Sequence, residues 1–68
     1  MDNVQILKVT CIDSGKTVDA ELLDVKPGKI TVVLPGFQKL TLTKDKTKDF
    51  LYIATHFGLE FYTNYHPH

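Results

Sequence analysis

Among 68 residues there is no arginine, no tryptophan and only one cysteine, Cys11. Without arginine, planar bidentate recognition of phosphate or carboxylate is excluded, because the eight positive charges are all lysines and hold an anion only as point charges. A lone cysteine excludes an intramolecular disulfide. No apolar run approaches the roughly 20 residues that span a bilayer. The start MDNVQILKV carries neither a basic region nor the apolar stretch of a signal peptide, which predicts a cytoplasmic protein without membrane contact. Eight acidic residues balance the lysines, so no net charge draws the chain to nucleic acid or lipid.

Helical periodicity is also missing. Nearly every segment alternates apolar and polar residues at a period of two, which predicts strands. Leu7, Val9 and Cys11 share one face of a first strand, and Val18, Ala20 and Leu22 share one face of a second, with DSGK between them as a hairpin turn. KPGK and LPGF each set proline before glycine, the order of a type II turn. They delimit a third strand with Ile30, Val32 and Leu34 inward, and a fourth with Leu40 and Leu42 inward and Lys39, Thr41 and Thr43 outward. TKDKTKD reads as an exposed loop. FLYIAT and LEFYT follow it, with Leu51, Ile53, Leu59 and Phe61 as the inward set.

Five or six short strands in so short a chain predict an all-β fold without substantial helix, a small antiparallel barrel closing on itself. Residues 1–63 form the single domain in this reading. Tyr62 is docked at the end of the last strand, and residues 64–68 form a flexible tail in which His66 to His68 are mobile.

Chemistry-bearing residues are sparse. DSGKT ends like a phosphate-binding loop but has Thr10 where that motif needs glycine, and a strand where it needs a helix. His56, His66, His68 and Cys11 lack the paired spacings of a structural zinc site, so no metal and no cofactor is expected. Cys11 shares a face with Leu7 and Val9, which predicts an inert thiol with a raised pKa, and no nucleophile–base or carboxylate pair points to catalysis. What stands out is an aromatic surplus: Phe50, Tyr52, Phe57, Tyr62 and Tyr65 fall off the inward register or at turns.

VDAELLDVKPGKITVVLPG, followed later by HFGLEF, resembles the central and closing strands of a PilZ domain, the small bacterial barrel whose members often bind cyclic di-GMP; the likeness runs from Val18 to Phe61. That family holds its ligand through an arginine pair and a motif close to D-x-S-x-G-G. Here Asp24 and Gly28 match the motif, while Lys26 replaces its serine and Lys29 its second glycine, and no arginine exists. The resemblance therefore implies a degenerate member that does not bind cyclic di-GMP and acts as an adaptor for another protein.

The leading expectation is a non-enzymatic interaction module with Tyr52, Phe57 and Tyr62 on its contact surface. The alternative is a nucleic-acid or nucleotide binder that resembles Sm-like barrels, with Asp24, Lys26, Lys29 and Lys39 as ligand-binding residues beside the aromatics. Either form has strand edges through which a homo-oligomer could assemble.

Overall fold

The computed structural model describes residues 5–66. Six strands follow one another: β1 (Ile6–Cys11), β2 (Thr17–Lys26), β3 (Lys29–Leu34), β4 (Gln38–Lys44), β5 (Leu51–His56) and β6 (Leu59–Asn64). Each is antiparallel to its neighbour, and β1 pairs with β6, so the sheet closes into an up-and-down barrel. No helix is present among the described residues, and hence none long and apolar enough to cross a membrane.

The two Pro-Gly turns form as their sequences dictate. Pro27-Gly28 joins the paired residues Lys26 and Lys29, and Phe37 N–H donates to the Leu34 carbonyl at 3.0 Å across Pro35-Gly36. Gly28 (φ 76°) and Gly36 (φ 91°) supply the left-handed backbone that a type II turn needs at its third position. A bulge between Leu22 and Asp24 bends β2, and such a bend helps a small sheet curl onto itself.

Closure is uneven. Long ladders join β1 to β2, β2 to β3, β3 to β4 and β5 to β6, that of β2 and β3 broken only at the bulge. The β5–β6 hairpin meets the rest through Thr10↔Tyr62 and Cys11↔Phe61 on one side, and through Thr43↔Ile53 and Lys44↔Tyr52 on the other. The Thr63 hydroxyl reinforces the first seam by donating to the Lys8 carbonyl at 2.7 Å; at the second, Asp45 N–H donates to the Leu51 carbonyl at 2.8 Å.

Leu7, Val9, Ala20, Ile30, Val32, Leu34, Leu40 and Leu42 fill the interior from β1 to β4, as their alternation predicts. Val18 shares the inward parity but stays exposed. On β5 the expected register is reversed: Tyr52 and Ala54 are buried, while Leu51 and Ile53 lie outward and half-buried. The cause is propagated pairing. Leu42 points inward, so Thr43 points outward, and Ile53 sits opposite Thr43.

The C-terminal boundary also shifts. β6 reaches Asn64, Tyr65 is buried with its N–H donating to the Phe50 carbonyl at 2.8 Å, and the His66 ring stacks on Phe50 at 5.1 Å. Asn64, Tyr65 and His66 thus belong to the barrel and not to a tail, because the Tyr65 ring fills the interior edge-on to Tyr52 at 5.9 Å. Pro67 and His68, like residues 1–4, lie outside the described residues.

Candidate functional site

The outer surface is of two kinds. From β1 to β4 polar side chains pair laterally, Lys8 with Asp19, the Thr10 and Thr17 hydroxyls at 2.8 Å and Thr31 with Thr41 at 3.2 Å, while Ile6, Leu23 and Val33 interrupt them as separate apolar positions. On the β5–β6 hairpin the outward positions are Leu51, Ile53 and Thr55 opposite Asn64, Tyr62 and Glu60. An open groove of about 430 Å³ runs along this face, lined by Ile12, Lys48, Phe50, Leu51, Ile53, Tyr62 and Asn64. Ile12 is 51% exposed and Phe50 41%, so apolar area faces solvent here. The Phe50–His66 stack braces one end of the groove. At the other, the Asp13 carboxylate accepts the Glu60 N–H at 3.0 Å and holds the Ile12 segment against β6.

The structure separates the residues expected to share a contact surface. Tyr62 lies in the groove. Tyr52 is only 3% exposed and belongs to the core, so its expected place on the contact surface is corrected: Lys44↔Tyr52 pairing turns its ring inward. Phe57 is 83% exposed at the tip of the β5–β6 hairpin, with φ 53°. A matching Phe37, at φ 67° and 91% exposed, tips the β3–β4 hairpin. In an up-and-down barrel the turns after β3 and β5 fall at the same end, so two exposed phenyl rings stand there on backbone that L-residues rarely adopt. No sequence signal marks either one as left-handed.

The expected ligand-binding group is divided as well. Asp24, Lys26 and Lys29 gather at the β2–β3 turn, with Lys26 and Asp24 paired loosely at 3.9 Å. Lys39 pairs with Val33 at the opposite end of the β3–β4 ladder. None of these four lines the aromatic groove, whose one lysine is Lys48.

Cys11 is buried at the rim of the core, outside the main apolar cluster. Hydrogen bonding from the Ser14 side chain and backbone outweighs burial and lowers the thiol pKa from its ordinary value, against the expected rise. Apolar neighbours on β1 gave no sign of the Ser14 contact, which comes from the turn. Among the described residues no three His, Cys, Asp or Glu side chains come together as a metal site would require.

No protein-family model, curated protein or solved structure matches the chain.

Proposed function

We propose that this protein is a non-enzymatic interaction module that presents the outer face of its β5–β6 hairpin to another protein. One observation carries the reading: β5 is apolar on both sides. Its inner face is covered by the core, whereas Leu51 and Ile53 on its outer face join Ile12, Phe50 and Tyr62 in an open groove. Antiparallel sheets with one solvated face normally place polar residues there, and where β1 to β4 depart from this, at Ile6 and Val33, the charged Glu21 stands between the two in the ladder. Apolar side chains rimmed by polar ones mark contact surfaces. Under this reading the module works in the cytoplasm, in keeping with its balanced charge and free cysteine.

A photo-crosslinking residue in place of Ile53 tests it, with the same residue in place of Thr41 as the control on the polar face. Crosslinks from position 53 and none from position 41 support the reading; equal or absent yields overturn it. The Phe50–His66 stack beside Lys48 favours a second reading, single-stranded nucleic acid with a base stacked at that end. It requires salt-sensitive RNA binding, with a log–log slope of about 0.7 per neutralised phosphate. The PilZ resemblance enters as a degenerate adaptor. Cyclic di-GMP added to labelled protein then leaves the amides from Asp24 to Lys29 unshifted.

A further inference from the structure

We propose that the occupant of the β5–β6 face is a second copy of this chain, docked about a two-fold axis that lies in the interface plane and runs across the strands. The proposal rests on the reading of that face as a protein contact and names its partner.

Two opposite charges stand at the two ends of this face. At the Phe50 end Lys48 is the only charged residue that lines the groove. At the far end stand Glu60, outward beside Thr55, and Asp13, with Lys16 as the only lysine in that turn. Between them lie the neutral, apolar Leu51, Ile53 and Tyr62. The face thus runs from Lys48 through an apolar middle to Glu60.

An in-plane two-fold relating two such faces lies nearer to one of two limiting directions, along the strands or across them. An axis parallel to the strands sets Lys48 over Lys48 and Glu60 over Glu60. An axis across the strands reverses the partner's direction, so that each Lys48 end lies over a Glu60 end and the apolar middle covers itself. Isologous contacts need this kind of self-complementary patch, and like charges set opposite one another suppress the wrong orientation. Packing face to face at about 10 Å, with strands inclined by about 30°, is the ordinary geometry of two sheets. The contact uses the face of the sheet and leaves the strand edges within each closed barrel.

Sedimentation of the whole chain from about 1 μM to about 1 mM, the span of weak to moderate self-association, is the test. The expected result is a monomer–dimer equilibrium that Ile53→Lys shifts to monomer. Lys48→Glu and Glu60→Lys, both at exposed positions, each weaken the dimer by about 10-fold, and combining them restores it because opposite charges face each other again. A wild type that stays monomeric throughout overturns the proposal. So does a dimer in which the combined variant is no tighter than either single one. A monomeric wild type whose position 53 still crosslinks a different protein overturns the second copy alone. A monomeric wild type with no crosslink at that position overturns the interaction reading too.

Discussion

The four-strand sheet β1–β4 and the β5–β6 hairpin solve the same problem in opposite ways. The sheet puts aliphatic side chains inside and mostly Thr, Lys, Asp and Glu outside, joined by long ladders with one bulge in β2. The hairpin puts Tyr52, Ala54, Thr63 and Tyr65 inside, leaves Leu51, Ile53 and Tyr62 outside, and is held by two short seams. Stability resides chiefly in the first unit, and the proposed contact surface lies on the second. Both tyrosine rings remain inside without leaving a buried polar side-chain atom unpartnered among the described residues.

The sharpest way to break this comparison is to exchange serine for each tyrosine. Tyr52→Ser empties core volume and costs about 3–5 kcal/mol in urea unfolding, enough to unfold much of so small a domain. Tyr62→Ser, on the outer face, costs less than about 1 kcal/mol. If the two were equal, the inversion of β5 would be wrong. Next in size is a leucine pair: Leu42→Ala, at a fully buried position, loses about 2–5 kcal/mol, and Leu51→Ala a fraction of that.

Thr63→Val probes the seam. It keeps the side-chain shape but leaves the Lys8 carbonyl without its hydroxyl donor, at a cost of about 1 kcal/mol, with faster amide exchange in β6 than in β3. Phe57→Asn moves stability the other way, by about 0.5–1 kcal/mol, because asparagine tolerates the left-handed turn better than phenylalanine. The smallest effect is on pH dependence. Hydrogen bonds from the Thr47 side chain and then its backbone lower the Asp45 pKa. A carboxylate depressed in the folded state stabilises fully above its unfolded pKa, and that contribution is lost as pH falls through the folded one. Carbon-detected titration of the loop should therefore show Asp45 protonating at lower pH than in Thr47→Ala.

How much of this was legible follows from the same contrast. Strands β1 to β4 and both Pro-Gly turns could be read because apolar residues dominate one parity despite Ile6, Leu23 and Val33 on the other, so alternation favours one solution. FLYIAT has apolar residues at both parities, and its orientation was decided by Thr43↔Ile53 pairing, a contact that local pattern does not contain. That reversal sent Tyr52 inside and brought Leu51 and Ile53 to the candidate site. Tyr62 was recognisable from its own strand. Ile12 was not, because it follows the end of β1 and is held at the groove by its own N–H donating to the Glu60 carbonyl at 2.8 Å and by the Asp13 carboxylate accepting the Glu60 N–H.

The closing seam also sets an order for folding. Thr63 reaches back to Lys8, 55 positions earlier, so pairing β6 with β1 closes the longest loop of the barrel. The β1–β4 meander consists of contacts between successive segments and can form first; the slow, high-contact-order step is the docking of β6 on β1. Until it happens the sheet has exposed edges, and that interval is when a chaperone has most to protect.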